Sequence, residues 1–353
     1  MNRTSLRSLP TLRLFLTGLS LVLISEPVIA QGALDRVRRR SGVDTGKIEG
    51  TSPQGIKLSR GGVEKQIPTE DIVSVYFSGE PPELNAARLA VERGKYKEAL
   101  RALKGVNTKA IRRDEVRSEV AFVTALANAR LALAGQGDLG SSQGELKSFL
   151  SSNRSSIQVL PAFELIGDLA LADEDYQAAR ENYGKLARVN SPYYKLRSSL
   201  LIGRSWQAEG DDAKASAAFE SVVSSAEKGA VVEPIKLAAT LELAVSKAAG
   251  GDVKESVATL QKIIAEADPQ NDADLLAQAY NALGGAYLKA GDKQAALFAF
   301  LRVDLIYPTS PEQHARALFE LKSLWQGMGK ADRAEQAAKK LADQYPSSRW
   351  ASR

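Results

Sequence analysis

Cysteine is absent from this 353-residue chain, and histidine occurs once, at His314. The absence of thiols excludes disulfides, thiolate metal sites, a cysteine nucleophile and a lipid anchor through cysteine. A zinc site built from two or three imidazoles is excluded within one chain as well. A serine–histidine–aspartate triad would have to use His314. We therefore expect no enzymatic activity, no metal site and no cofactor, and we interpret His314 as a solvated residue at the start of a helix.

A strong excess of charge of one sign is also missing. The chain has 47 basic and 42 acidic residues, a net charge of +5. The first 30 residues contain three arginines and one glutamate, so the remainder has 44 basic and 41 acidic residues, a net charge of +3. Because the two signs are interspersed, we expect no nucleic-acid partner.

Long apolar runs are scarce, and the one exception lies at the N-terminus. Three arginines precede an apolar run from Leu14 to Ile24, and Val28-Ile29-Ala30 has the small residue of a cleavage site. This pattern predicts a secretory signal peptide at residues 1–30, with an apolar core too short for a comfortable membrane span. We expect an exported protein of the periplasm or cell envelope. An uncleaved N-terminal anchor is the alternative, and membrane contact would then be peripheral, through the retained segment or through a partner.

Residues 31–80 contain short runs of alternating or β-branched apolar residues separated by glycine and proline. Four or five strands are predicted, at Thr45–Thr51, Gly55–Ser59, Val63–Ile67 and Ile72–Phe77, and Gly61-Gly62 predicts a hairpin. The apolar residues predicted to face inward are Ile48, Ile56, Leu58, Ile67, Val73 and Val75. These runs predict a small, strongly bent sheet or partial barrel, similar in strand lengths to SH3-like or Sm-like barrels. Arg38-Arg39-Arg40 is interpreted as a solvated lead-in, with contact to an anion as the alternative.

From residue 83 to 350 the sequence has helical periodicity, and a turn glycine returns about every 40 residues. These glycines are Gly94, Gly135, Gly210, Gly251, Gly291 and Gly329, and Glu174-Asp175 occupies the remaining slot. Each turn would close one helix and precede another, which gives seven helix pairs. The second pair, at residues 113–152, is degenerate because a glycine-rich insertion from Gly135 to Gly144 interrupts it. A repeat of this length cannot bury its apolar face alone, so the pairs must stack into an α-solenoid.

The clearest repeat reads Leu283-Gly284-x-x-Tyr287, then Gly291-Asp292, then Ala296-x-x-x-Phe300 and Pro308. The small residue late in the first helix lets the second helix approach closely, and the aromatic residue of the second helix is expected to pack into the next repeat. This pattern resembles the tetratricopeptide repeat (TPR). Tyr307-Pro-Thr-Ser310 and Tyr345-Pro-Ser-Ser348 are similar to exported bacterial TPR proteins associated with Tol–Pal function or outer-membrane assembly. The resemblance implies a mostly α fold and a non-catalytic scaffold that binds protein or peptide segments.

The first helix of each pair would form the inner face, where a TPR array binds its partners. The polar residues predicted to face inward are Arg197, Arg204, Gln207, Gln278, Asn281, Arg316 and Gln326. Such side chains can hydrogen-bond an extended peptide or pair with its acidic groups, and Arg204 and Asn281 are the strongest candidates. Solvated helix faces with no binding role are the alternative. A different class of function, binding of envelope polysaccharide or peptidoglycan by the small β module, also stays open, as does a role of this module as a cap on the solenoid.

Overall fold

The computed structural model describes residues 34–308, 310–346 and 348–351, so the predicted signal peptide at residues 1–30 lies outside the described residues. The described part begins with five strands: β1 Asp35–Arg39, β2 Gly42–Ser52, β3 Gly55–Arg60, β4 Val63–Pro68 and β5 Ile72–Tyr76. It continues with fourteen α-helices: α1 Pro82–Glu92, α2 Tyr96–Leu103, α3 Asp114–Leu133, α4 Leu139–Ser152, α5 Val159–Ala172, α6 Tyr176–Leu186, α7 Pro192–Glu209, α8 Asp212–Val223, α9 Glu233–Ala249, α10 Val253–Glu266, α11 Ala273–Lys289, α12 Lys293–Leu305, α13 Pro311–Gly327 and α14 Ala331–Gln344. Within this part of the chain, no helix combines the length and the apolar character that crossing a membrane requires.

The strands form one antiparallel sheet in the order β4-β3-β2-β1-β5. The long strand β2 pairs with β1 through residues 42–46 and with β3 through residues 47–52, and its register shifts between Ile48 and Gly50. Strand β2 therefore carries the bend that the sequence predicts. The β3–β4 hairpin turns at Gly61 and Gly62, whose φ angles of 58° and 81° lie in the region that favours glycine.

Two details of the β module differ from the prediction. Arg38 and Arg39 are not a solvated lead-in, because they belong to β1, where Arg39 Nε lies 2.5 Å from Asp44 Oδ2. The strand has a single buried apolar side chain, Val37, so its periodicity is too weak to detect. Val73 is 47% exposed rather than inward-facing. It is the extra residue of a β-bulge opposite β1, and a bulge re-aims the side chain it carries.

The helices form seven antiparallel pairs, as predicted, and the turns within the pairs lie at the predicted positions. All six turn glycines have positive φ, and Glu174 (φ 61°) is the only non-glycine residue with positive φ among those described. The predicted glycine-rich insertion is wrong. Helix α4 begins at Leu139 because Asp138 Oδ1 accepts a hydrogen bond from the backbone N–H of Ser141 at 2.6 Å, so Gly140 and Gly144 lie inside the helix.

Within a pair, the two helices come close where a glycine faces an aromatic ring. A Cβ atom added to Gly167, Gly203 or Gly284 would lie 2.4–2.6 Å from a ring carbon of Tyr183, Phe219 or Phe300, respectively. Each ring therefore packs first against the glycine of its own pair. Its hydrophobic cluster then extends to the next pair, as Phe219 does with Ile235 and Ala239 of α9. The prediction that the ring packs into the next repeat therefore describes only part of its contacts, because the contact with the glycine of the same pair was not predicted.

Both ends of the solenoid are covered. The sheet shares one hydrophobic core with the first helices, in which Val37 and Phe77 pack with Leu84 and Val120. At the other end, Trp350 follows α14 and packs in a cluster with Leu318 and Leu341. These contacts hide the apolar faces that a terminal repeat would otherwise expose.

Candidate protein-binding surface

The first helices of the pairs line the inner face of the solenoid. In five of the six steps along the array, the backbone of one first helix lies close to that of the next first helix, and from α5 to α7 the contact is made by side chains. Successive second helices make less contact with each other. Closer spacing on one side curves the stack toward that side. The surface formed by α1, α3, α5, α7, α9, α11 and α13 is therefore the inner face of the solenoid, and it contains the predicted binding residues.

Two of the predicted arginines link neighbouring first helices. Arg197 on α7 binds both carboxylate oxygens of Glu164 on α5, with Nε 3.2 Å from Oε2. Arg204 Nε donates to Glu242 Oε1 on α9 at 2.8 Å. Burial alone would lower the pKa of Arg197, but the hydrogen bonds and charge of Glu164 outweigh burial and raise this pKa above its ordinary value. The inner face is thus crossed by ion pairs that join one repeat to the next.

Two predicted amides also bridge first helices. Gln207 Nε2 donates to Ser246 Oγ on α9 at 3.1 Å. Asn281 on α11 is fully buried, and its Nδ2 donates to the backbone oxygen and to Oε1 of Gln313 on α13, both at 2.9 Å. The Oδ1 atom of Asn281 is buried without a hydrogen-bond partner among the described residues. A bound segment would reach Asn281 only after Gln313 moved.

The remaining predicted residues are spread along α11 and α13. Arg316 lies beside Gly285, and its guanidinium carbon is 5.9 Å from the ring centre of Trp350. Burial lowers the pKa of Arg316 below its ordinary value, although the charges of Glu320 and Glu242 act in the opposite direction. Gln278 is half-buried on α11, and Gln326 is exposed near the end of α13. The structure therefore brings Arg197, Arg204 and Gln207 into bridges around α7 but leaves Gln326 apart.

A groove of about 1320 Å³ was not predicted from the sequence. One wall is formed by the C-terminal parts of α3 and α5, including Asp168, by the turns that follow them, including Gln136 and Glu174, and by Tyr176 at the start of α6. The other wall is formed by the last pair and the residues after it: Pro311, Glu312, Gln344, Tyr345, Pro346, Ser348 and Arg349. Desolvation and the nearby charge of Glu164 raise the pKa of Asp168. The groove joins segments more than 100 residues apart, so no local sequence signal indicates it.

His314 is buried, not solvated as predicted. It is 2% exposed, with Nδ1 2.7 Å from the hydroxyl of Tyr345 and Nε2 2.7 Å from Asp304 Oδ1. Lys340 Nζ donates to the same oxygen of Asp304 at 2.6 Å. Burial alone would raise the pKa of Asp304, but the hydrogen bonds from His314 and Lys340 outweigh it and hold this pKa below its ordinary value.

No serine takes part in these hydrogen bonds of His314. The segment Gly140–Gly144 fits the Gly-x-Ser-x-Gly pattern of hydrolase nucleophiles, but it lies inside α4 rather than at a turn from strand to helix. Its Ser142 side chain is also buried. Within the described chain, no group of three or more histidine, aspartate or glutamate side chains is arranged to hold a metal ion.

Solved structures show which fold this arrangement has. The chain is similar to a tetratricopeptide repeat protein from Parabacteroides merdae, with a TM-score of 0.54 and 17% identity over 74% of this chain and 92% of that protein. It is also similar to a Rap protein complexed with competence and sporulation factor, with a TM-score of 0.51 and 15% identity over 76% of each chain. No protein-family model and no curated protein sequence matches the chain. The fold is a TPR-type α-solenoid preceded by a five-stranded antiparallel sheet.

Proposed function

We propose that this protein is an exported, non-catalytic scaffold of the periplasm or cell envelope that binds segments of other proteins along its inner face. The observation that carries this proposal is the groove of about 1320 Å³ between residues 132–176 and residues 311–349. Its volume exceeds the roughly 300–1,000 Å³ of most small-molecule sites. A polypeptide segment is an occupant of suitable size, and the Rap protein with this fold was itself solved with a bound factor.

The lining of the groove favours an occupant with basic side chains. Asp168, Glu174 and Glu312 contribute carboxylates, and the basic lining residue Arg349 is paired with Glu312, with Nη2 2.8 Å from Oε1. Tyr176 and Tyr345 add aromatic surface on opposite walls. An extended segment with lysine or arginine beside apolar residues would therefore complement both the charge and the shape.

None of the seven predicted inner-face residues lines the groove, but the bridges among them join α5 and α7, whose C-terminal parts border it. The Arg197–Glu164 and Arg204–Glu242 pairs fix the spacing of three successive first helices, α5, α7 and α9. Arg204 keeps about a third of its side chain exposed, so its remaining N–H groups can donate to a bound segment. Arg204 stays the strongest predicted contact. Asn281 would act indirectly, through its hydrogen bonds to Gln313.

Photo-crosslinking in cells tests the proposal. A photoreactive residue replaces Gln136, which is exposed in the groove, and a matched residue replaces Lys262, which is exposed on the second helix α10. We expect a discrete protein adduct from position 136 in the envelope fraction and none from position 262. Arg204→Ala should weaken the adduct without changing the folding of the chain.

Three results would contradict the proposal. The first is equal crosslinking from positions 136 and 262. The second is a chain that stays in the cytoplasm with residues 1–30 still attached. The third is co-sedimentation of the full chain with purified cell wall in the absence of any protein adduct, which would favour the polysaccharide alternative. The full chain is needed for that assay because the β module shares its core with α1 and α3.

A further inference from the structure

A second cavity, of about 310 Å³, lies between the sheet and the first helices of the solenoid. Four consecutive residues of β5 line it: Ile72, Val73, Ser74 and Val75. Successive side chains of a strand point to opposite faces of the sheet, so a cavity under one face would contact only every second residue. A cavity that contacts four in a row runs along the edge of the strand.

Strand β5 is an edge strand. It pairs with β1 on one side, and within the described chain no strand pairs with its other side. An open edge presents backbone N–H and C=O groups that can pair with another extended segment. The bulge at Val73 directs an apolar side chain outward at the mouth of the cavity, where it is 47% exposed.

The wall of the cavity contributed by the helices holds a buried donor with no acceptor. Arg88 on α1 is 6% exposed; its Nε donates to Glu119 at 3.2 Å and its Nη1 to Glu80 at 2.7 Å. Its Nη2 is buried and has no hydrogen-bond partner among the described residues. The second oxygens of the two carboxylates already accept hydrogen bonds, from Gln158 Nε2 and from the backbone N–H of Phe77, both at 3.0 Å. The free group at this point is therefore a donor.

The charges around Arg88 select the kind of acceptor. One guanidinium lies between two carboxylates, so the cluster has a net negative charge and disfavours an added anion. A neutral carbonyl oxygen satisfies Nη2 without adding charge. Among the charged lining residues, Arg40 and Arg88 face Glu70, Glu92 and Glu119, so the wall as a whole is not positive either. The apolar part of the wall is formed by Val91, Phe122, Val123, Leu126, Ile157, Pro161 and Tyr193.

We infer that an extended peptide segment binds here as a sixth strand on the open edge of β5. Its backbone extends the sheet, an uncharged apolar side chain fills the cavity, and a backbone carbonyl accepts a hydrogen bond from Arg88 Nη2. This site is separate from the groove, because none of the residues that line the cavity also lines the groove. The inference goes beyond the proposed function and assigns a peptide-binding role to the β module.

The sheet offers a matched pair of variants for the test. Val73 lies on the edge strand β5, and Val63 lies on the opposite edge strand β4, where it is 72% exposed. Peptides of eight residues are selected from a random display library on the full-length chain, and their affinities are measured by fluorescence anisotropy. Val73→Lys should weaken the selected peptides by about tenfold or more, and Val63→Lys should leave their affinity unchanged.

Two further readouts identify the binding mode. N-methylation of alternate peptide nitrogens should abolish binding, because it removes the hydrogen bonds to the strand, and amide exchange at residues 72–76 should slow when the unmodified peptide binds. Arg88→Lys keeps the positive charge but removes the free guanidinium nitrogen, so it should also weaken binding by about tenfold.

The inference is overturned if no peptide is selected, if Val73→Lys and Val63→Lys bind equally well, or if N-methylated peptides bind as tightly as unmodified ones. Crosslinking from position 136 is measured in the Val73→Lys variant as well. Unchanged crosslinking there shows that the groove works independently, so failure at β5 does not count against the proposed function.

Discussion

The two ends of the solenoid meet the same physical requirement in different ways. At the N-terminal end a complete five-stranded sheet shares a core with the first helices, and the buried Arg88 joins Glu80 of the connecting segment to Glu119 of α3. At the C-terminal end, Trp350 covers the last pair, where it packs with Leu318 and Leu341. The first cap is bound through a shared core and buried charges. The second is bound through the packing of Trp350 and Tyr345 and through their hydrogen bonds to Glu312 and His314.

This difference shows that a cap can be either part of the cooperative core or a local cover. A cap that shares the core should unfold with the repeats beneath it, whereas a local cover can open alone. Unfolding should therefore begin at the C-terminal pair.

Arg88→Met should lower the free energy of unfolding by about 3–5 kcal/mol, because it leaves Glu80 and Glu119 buried without their partner. Chemical denaturation followed by circular dichroism measures the loss. Arg38→Met is the matched control, since Arg38 pairs with Glu92 at the surface, where both side chains are 42% exposed, and should cost about 1 kcal/mol or less. A smaller loss for Arg88→Met than for Arg38→Met would show that the buried charges do not fasten the sheet.

Trp350→Ala should cost about 3 kcal/mol locally, because a buried aromatic side chain is removed from Leu318, Leu341 and Phe319. Hydrogen exchange should speed up in α13 and α14 and stay unchanged in the sheet. Trp350→Phe keeps most of the apolar contact and should lie between the two. Faster exchange at β1 or β2 would refute the idea that this end opens by itself.

Asp304→Asn should cost about 1.5–3 kcal/mol near neutral pH, because Asp304 accepts hydrogen bonds from His314 and Lys340. The pKa of Asp304 in the folded protein lies below its ordinary value of 3.8, so this contribution is fully present above pH 3.8 and is lost as the pH falls through the folded value. Denaturation at a series of pH values should show wild type and variant converging below pH 3.8. The exposed Asp343 gives the control, since Asp343→Asn changes a surface side chain and should cost less than about 0.5 kcal/mol. A gap for Asp304→Asn that stays constant with pH would contradict the assignment.

Glu174→Gly should raise the stability of the middle of the array, where neither cap acts, by about 0.5–1 kcal/mol. Its φ of 61° is strained for glutamate and relaxed for glycine. The reverse change, Gly210→Ala at φ 89°, should destabilise by about 1 kcal/mol. Thermal unfolding measures both variants. A loss of stability in Glu174→Gly would mean that the side chain makes contacts that outweigh the strain.

The sequence predicts those parts of this structure that depend on local chemistry. A turn between helices needs positive φ, and this requirement is visible as a recurring glycine, so even the slot filled by Glu174 was placed correctly. The Gly61-Gly62 hairpin is predicted for the same reason. Strand β1 was missed because one valine among four charged residues carries no periodic signal.

The parts that depend on distant contacts were not predicted. His314 is predicted to be solvated because its partner Tyr345 lies 31 positions away, and the sequence does not show that the two side chains meet. The inner-face arginines were identified, but their partners Glu164 and Glu242 lie 33 and 38 positions away on other helices. The two walls of the groove belong to opposite parts of the array, and only the curvature of the whole stack brings them together.

The contact of Gly167, Gly203 or Gly284 with an aromatic ring has a consequence for how such a chain can be rearranged. Each contact lies within one helix pair, so a pair carries its own tightest packing wherever it is placed. Duplicating or deleting sequence between the loops that follow second helices keeps every such contact intact. A cut at a turn inside a pair separates the glycine from its ring. The pair is therefore the unit of exchange, and the bridges between first helices, such as Arg204–Glu242, restrict which pair can follow which.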